Sequence, residues 1–368
     1  MPLIYSIIAP LIIISSVAVY QGEAFSAIET ARLLQNCMLI AGIGTLLQLY
    51  PIWKIGSGLP VVMGISFTFL AACLATASQD YGIMVGAIIV GGCFEGVLGL
   101  TAKYWRKIIS PIVSACVVTT IGFSLLSTGI SSFASSAVYP TGAWQNLLVA
   151  VITLAACLFF FSLALGCWPQ LYVLVGLSVG YIVSLFFGMV DFSSMKNTVQ
   201  ELGIIALPKL FAYTPKFEIG AIVSVTLVFL VSAAETIGDT SAVCTGGLGR
   251  EITEKEVSGS LGCDGFISAI SGGVFGCPPI TSFSQNVGLV TMTKVVNRGA
   301  LSVGAIFLIL CGLIPKLGAI VSIMPQSVLG GAAVMMFSSI VISGIQLITK
   351  EEMTPRNLTI VSVALGVG

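Results

Sequence analysis

The feature that most constrains this chain is a succession of long apolar runs that contain almost no charged residues. A helix needs about 20 apolar residues to cross a hydrocarbon core of about 30 Å. Hydrophobic residues make up 57% of the 368 residues and charged residues only 8%, against about 25% charged residues in an average globular protein. The runs therefore predict an all-α polytopic membrane protein that folds in the lipid bilayer.

Apolar runs of membrane-spanning character recur along the whole chain. We identify thirteen, at 1–20, 35–50, 60–78, 81–101, 109–131, 145–166, 169–190, 219–244, 261–276, 279–296, 299–317, 328–349 and 357–368. The last run stops at Gly368 after twelve residues, so the sequence predicts a thirteenth span that is truncated here. Lys and Arg number ten in the loops on the N-terminal side and five on the other. This bias predicts a multi-pass protein of the plasma or inner membrane with a cytoplasmic N-terminus.

Two of the predicted spans are interrupted by Gly and Pro. They are "GLPVVMGISFTFL" (58–70), here called the first broken segment, and "GCPPITSFSQNVGLV" (276–290), the second broken segment. In each, a polar residue follows a proline by six positions, Ser66 in the first and Gln285 in the second. Paired interruptions of this kind indicate a transporter binding site, because extended backbone is tolerated at membrane depth only inside protein or along a cavity. The alternative is a pair of tight turns between ordinary helices.

Four carboxylates lie within the predicted spans: Glu95, Glu235, Asp239 and Asp264. An ionisable side chain inside a membrane is a functional-site hypothesis by default. Glu235 and Asp239 are four residues apart and share one face of a helix, where two like charges at close range favour proton uptake by one of them. Because the chain contains no His, any proton chemistry must use carboxylates. The alternative for each acid is a structural role at helix ends and backbone amides.

The composition also argues against several function classes. The net charge is zero, so no basic surface field indicates a nucleic acid partner. The absence of His removes the commonest metal ligand, and no phosphate-binding Gly-Lys motif is present. We therefore expect no enzyme activity, no cofactor and no metal site. The ten Cys are scattered singly, as small apolar residues that fill space would be.

Three sequence motifs carry a resemblance to a known family. "QNVGLVTMTK" (285–294) is similar to the signature of the nucleobase/ascorbate transporter family, also called nucleobase:cation symporter-2. "AETIGD" (234–239) resembles the acidic motif of that family's eighth span, and "LPVVMGISFTF" resembles its third span. The order and spacing of the motifs agree over essentially the whole chain, and the pattern looks most like the xanthine and uric acid permeases.

The resemblance implies a fold of fourteen spans in two inverted seven-span repeats. Spans 1–4 and 8–11 would form a core domain, and spans 5–7 and 12–14 a gate domain, usually within a homodimer. On this sequence the core domain would comprise 1–108 and 219–317, the gate domain 109–192 and the incomplete 318–368, and an external loop 193–218. The core domain would slide against the gate domain in elevator-type alternating access.

The resemblance also implies a binding site between the third, eighth and tenth spans. Glu235 and Gln285 would hydrogen-bond a purine base, Phe67 would stack on its ring, and main-chain groups near Ser66, Phe67 and Ser284 would complete the contacts. Support and coupling would fall to Asp239, Asp264, Asn286 and Thr293.

The substrate implied is an oxidised purine, xanthine or uric acid, imported together with protons. Family members that prefer these purines tend to carry Gln at the position of Gln285, whereas uracil permeases tend to carry Glu, so a uracil permease is the alternative within the family. An anion transporter of the same architecture is the alternative from another class. A basic residue would then be expected near the facing half-helices, and neither 60–78 nor 279–293 contains Lys or Arg.

Overall fold

Apolar helices make up most of the part of the chain that the structure describes. The computed structural model describes residues 19–20, 23–105, 111–163, 172–190, 206–284, 286–287, 290, 294–314, 316, 318 and 323–367. These residues form twelve α-helices and four short strands. Six of the helices are long and apolar enough to cross a membrane, judged by length and composition.

The elements follow one another without long insertions among the described residues. The strands are β1 (Val19–Tyr20), β2 (Glu23–Ala24), β3 (Met63–Ile65) and β4 (Ile280–Ser282). The helices before residue 200 are α1 (Ala27–Leu49), α2 (Leu70–Ala77), α3 (Tyr81–Leu100), α4 (Ala102–Trp105), α5 (Pro111–Phe133), α6 (Trp144–Leu163) and α7 (Tyr172–Phe186). The later helices are α8 (Ile219–Ala242), α9 (Glu254–Ile270), α10 (Arg298–Gly312), α11 (Gln326–Lys350) and α12 (Pro355–Val367).

Most predicted spans coincide with these helices. Of the first predicted span, the structure describes only the last two residues. Predicted span 1–20 lies outside the described residues except for Val19 and Tyr20, which form β1 rather than helix. They pair antiparallel with Ala24 and Glu23, so the connection to α1 already begins at these residues.

Two helices begin earlier than the apolar pattern predicts, because capping boxes start them. The side chain of Ser26 accepts from the N–H of Glu29 and the Glu29 carboxylate accepts in return, so α1 begins at 27 and not at 35. Thr253 and Glu256 form the same arrangement at α9, which begins at 254 and not at 261. Both helices thus carry a polar first turn ahead of their apolar residues.

Extended backbone interrupts both broken segments, as the Gly and Pro pattern predicts. The first contains β3, followed by a 3₁₀ turn at Phe67–Phe69 and then α2. The second contains β4, and residues 284, 286, 287 and 290 beyond it are helical. The two strands pair with each other in an antiparallel two-stranded sheet. The alternative of two simple turns between unbroken helices is therefore wrong.

The chain divides into two compact units. The smaller unit comprises Ala115–Asn197 and Ile323–Gly368. Within it, α11 packs against α6 and α7. It also approaches α5 so closely that a Cβ on Gly330 would lie 2.3 Å from the backbone nitrogen of Phe133. Only glycine permits this contact between the two helices.

The larger unit comprises Pro2–Ser114 and Thr198–Ser322 and contains both broken segments. Here α3 packs against α9 and α8, and α1 packs against α10. At the crossing of α3 and α9 a Cβ on Gly265 would lie 2.1 Å from the nitrogen of Gly96, so the two backbones touch. This tight packing places α8 and α9, which carry three of the four carboxylates, beside the strand pair.

Candidate functional site

The paired strands β3 and β4 form the centre of the candidate site. Their residues pair as Met63 with Ser282, Gly64 with Thr281 and Ile65 with Ile280. Backbone hydrogen bonds of 3.0 Å extend the pairing at both ends, from Ser66 N to Pro279 O and from Phe283 N to Val62 O. Because the strands are antiparallel, the chains that follow them leave the pair in opposite directions.

A helix hydroxyl binds the outer edge of each strand. On β3, Thr45 Oγ1 of α1 accepts from Met63 N at 3.0 Å and lies 2.8 Å from Ala41 O of its own helix and 3.3 Å from Met63 O. On β4, Ser268 Oγ of α9 accepts from Ile280 N at 3.0 Å and donates to Ile280 O at 2.8 Å. Buried backbone groups left unpaired are costly, so these hydroxyls make extended backbone tolerable at this depth.

Glu235 on α8 receives one hydroxyl from each broken segment. Thr68 Oγ1 donates to Glu235 Oε2 at 2.6 Å, and Ser284 Oγ donates to Oε1 at 2.9 Å. The Glu235 side chain is buried, with 8% of the residue exposed. Both carboxylate oxygens are thus held by hydroxyls, and Glu235 is fixed between the two segments.

Asp239 lies one helical turn beyond Glu235 and shares its partner. Ser284 Oγ is 2.8 Å from Asp239 Oδ2 as well as 2.9 Å from Glu235 Oε1. A hydroxyl has one hydrogen to donate, so Ser284 cannot donate fully to both carboxylates. The contacts are complete when one of the two carboxyl groups carries a proton and donates it to Ser284 Oγ.

Asp264 on α9 anchors β4 to its surroundings. Its Oδ2 atom accepts from Thr236 Oγ1 at 2.6 Å, from Ser282 N at 3.1 Å and from Ser282 Oγ at 3.3 Å. Its other oxygen, Oδ1, has no hydrogen bond partner among the described residues. Asp264 therefore ties α9, α8 and β4 together.

Asn286 connects the two broken segments directly. Its Nδ2 atom donates to Pro60 O at 2.9 Å, and the residue is buried. Gln285 and Thr293, the other two polar residues implicated in this segment, lie outside the described residues. The contact of Asn286 nevertheless shows that the start of the first segment and the helical part of the second are held together.

Ser66 and Phe67 lie where β3 passes into the 3₁₀ turn. Both are buried, at 5% and 4% exposure. The backbone N–H of Ser66 is already bonded to Pro279 O. Any main-chain contribution of Ser66 to a ligand would therefore come from its carbonyl.

Two further polar residues, Glu95 and Thr68, bear on the predicted set of site residues. Glu95 on α3 is fully buried, and neither of its oxygens has a hydrogen bond partner among the described residues. Thr68, by contrast, contacts Glu235 directly, although the sequence analysis did not select it. The spacing from Pro60 pointed to Ser66, and the only signal for Thr68 was a second hydroxyl in "SFTF".

The family model Xan_ur_permease, described as Permease family, matches residues 4–368. The chain belongs to this permease family. It is therefore a multi-pass membrane transport protein and not an enzyme.

Curated relatives are similar in sequence to this chain over most of their own length. Xanthine permease XanQ of Escherichia coli is 33% identical over 93% of this chain and 76% of its own length. Uric acid permease PucJ of Bacillus subtilis is 35% identical over 92% of this chain and 77% of its own. A putative purine permease of Clostridium perfringens is 32% identical over 98% and 78%.

Solved structures share the fold at lower sequence identity. The transmembrane domain of the cyanobacterial bicarbonate transporter BicA matches with a TM-score of 0.65 at 15% identity, covering 100% of this chain and 94% of that domain. Murine Slc26a9, an anion transporter in an inward-facing state, matches with a TM-score of 0.61 at 12% identity, covering 99% and 64%. Because the sequence identities are this low, the likeness shows only that the fold is shared and does not identify the substrate.

Proposed function

We propose that the chain imports an oxidised purine nucleobase, xanthine or uric acid, by proton symport. The observation that carries the proposal is the position of Glu235, a buried carboxylate held between two broken membrane segments. The similarity to a xanthine permease and a uric acid permease supports the same substrate class.

The recognition chemistry suits the edge of a purine. An ionised Glu is an acceptor only, whereas a Gln amide supplies both donors and an acceptor. Glu235 would accept ring N–H groups, and Gln285 would pair with a neighbouring carbonyl and N–H. Phe67 would stack on the ring, and main-chain groups near Ser66 and Ser284 would complete the contacts. Sites of this kind reject analogues that leave their polar groups unpaired.

The proposed proton coupling rests on the Ser284 hydroxyl, which two acidic side chains share. Glu235 and Asp239 both contact the single hydroxyl of Ser284. One added proton completes these hydrogen bonds and removes one of two like charges in a buried setting. We propose that this proton travels with the purine, while Asp264, Asn286 and Thr293 support the site.

Transport would use elevator-type alternating access. The described residues of the proposed site, from Ser66 to Asn286, all belong to the larger unit. We propose that this unit acts as the core domain and carries the purine across the membrane as one body, with the smaller unit as the gate domain. Fourteen spans, a cytoplasmic N-terminus and a homodimer complete the proposed arrangement.

A uracil permease is the alternative within the family. An anion transporter is the alternative from another class, because the fold neighbours are a bicarbonate transporter and an anion transporter. Against it, the first broken segment and the helix after it, 60–78, contain no Lys or Arg, and neither does 279–293.

The test is uptake of radiolabelled xanthine, urate and uracil into proteoliposomes that contain the purified full-length protein. An inward proton gradient should drive accumulation of xanthine or urate, and a protonophore should abolish it. Bicarbonate and chloride serve as competitors. Accumulation that survives the protonophore would exclude proton coupling. A preference for uracil or inhibition by the anions would exclude an oxidised purine as the substrate.

A further inference from the structure

We propose that Thr68 and Ser284 form a hydroxyl clamp that positions Glu235 for the purine. The proposal rests on the function proposed above and identifies Thr68 as a positioning residue, since it acts through Glu235. The two hydroxyls donate to different oxygens of the same carboxylate, at 2.6 Å from Thr68 and 2.9 Å from Ser284.

The clamp draws one member from each broken segment. Thr68 follows β3 by three residues, and Ser284 follows β4 by two. The orientation of Glu235 therefore depends on both segments, and a shift of either one relative to α8 alters how the carboxylate faces a ligand.

The clamp also leaves acceptor capacity for a ligand. An ionised carboxylate offers about four lone-pair sites on its two oxygens. Each hydroxyl of the clamp occupies one site on its own oxygen, which leaves about one site on each oxygen. That number matches two ring N–H donors, so the clamp and the purine can bind Glu235 at the same time.

The two members of the clamp differ in one respect that can be tested. Ser284 also contacts Asp239 at 2.8 Å, whereas the described contact of the Thr68 hydroxyl is with Glu235. Loss of the Thr68 hydroxyl should therefore act on substrate binding through Glu235 alone. Loss of the Ser284 hydroxyl should act through both Glu235 and Asp239.

The test compares Thr68→Val, which removes the hydroxyl at nearly constant volume, with Thr68→Ser, which retains it. Thr76→Val is the matched control, because its hydroxyl donates to Ala72 O of its own helix at 2.8 Å. We expect Thr68→Val to raise the KM for xanthine about tenfold, the equivalent of about 1.4 kcal/mol, with Vmax little changed. Thr68→Ser and Thr76→Val should keep the wild-type KM.

An unchanged KM in Thr68→Val, or an equal rise in Thr68→Ser, would overturn the clamp. Gel filtration in detergent establishes that each variant is folded. A second measurement does not need transport: the infrared carboxyl stretching bands assigned to Glu235, by subtraction of Glu235→Gln, should shift in Thr68→Val and not in Thr76→Val.

The two measurements separate the clamp from the proposed function. If the wild-type protein carries no purine but the infrared bands of Glu235 shift, the substrate proposal fails and the clamp stands. If the wild-type protein carries xanthine and neither the KM nor the bands respond to Thr68→Val, the clamp alone fails.

Discussion

The two broken segments share one scaffold but differ in chemistry. Each contains a three-residue strand with one outer N–H bonded to a helix hydroxyl, that of Thr45 for β3 and that of Ser268 for β4. The first segment sends one hydroxyl, Thr68, to the carboxylate of Glu235. The second sends Ser284 to two carboxylates and receives a further anchor from Asp264.

This difference separates what the fold requires from what recognition requires. Any extended backbone at membrane depth needs partners for its N–H and C=O groups, and both segments obtain them in the same way. The contacts to Asp239 and Asp264 and the amide side chains Gln285 and Asn286 belong to the second segment alone. We infer that the first segment mainly shapes the site, while the second also determines substrate and proton chemistry.

The largest effect is expected at Glu235. It tests whether uptake needs a carboxylate held between both broken segments. Glu235→Gln removes the charged acceptor that both segments hold. Hydrogen bonds to charged groups contribute about 1.5–3 kcal/mol each, so the loss of two should lower xanthine uptake at subsaturating concentration at least about a hundredfold.

Glu95→Gln is the matched control, since Glu95 is buried in the same unit but has no hydrogen bond to either segment among the described residues. Initial rates of uptake at equal expression decide the comparison. Equal and mild effects of the two substitutions would show that the site is misplaced.

A change of specificity is expected from the second segment only. Gln285→Glu replaces an amide donor with an acceptor, so a ring carbonyl formerly held by that donor would face negative charge. Xanthine and urate uptake should fall by more than about tenfold, the equivalent of about 1.4 kcal/mol. Uracil-like ligands should be affected less or favoured.

Asn286→Ala provides the contrast to Gln285→Glu. It removes the contact to Pro60 that joins the segments, so transport of every ligand should fall in parallel. Competition by a panel of purines and pyrimidines measures both variants. An unchanged ligand ranking in Gln285→Glu would remove Gln285 from recognition.

The smallest effect on transport is expected from the shared scaffold, whose loss should appear in stability. Thr45→Val leaves the buried N–H of Met63 without its hydroxyl acceptor, and Ser268→Ala leaves the N–H and C=O of Ile280 without theirs, at a cost of about 1–3 kcal/mol. The melting temperature in detergent should fall by similar amounts in the two variants. Thr119→Val, whose hydroxyl donates to Ala115 O of its own helix, is the control. A loss confined to one strand would show that the two anchors are not equivalent.

Several features of the site could be predicted because they depend on local sequence. Gly and Pro interrupt a helix through their own backbone properties, so both broken segments were located in advance. The capping boxes at Ser26 and Thr253, which start α1 and α9, also depend on local sequence, since the two partners of each box are three residues apart. The apolar pattern missed these helix starts because capping residues are polar and lie outside the apolar run.

By itself, the sequence determined that the protein is a membrane-spanning permease of this family, with acids in three of its spans and two interrupted spans. Those properties follow from the composition, from the apolar runs and from motifs whose residues are close in the chain. The tertiary structure alone decided which polar groups meet. Thr68 and Glu235 are 167 residues apart, and Ser284 and Glu235 are 49 apart. No helical or strand periodicity extends over such separations, so only the packing of α8 against the paired strands brings these hydroxyls to one carboxylate.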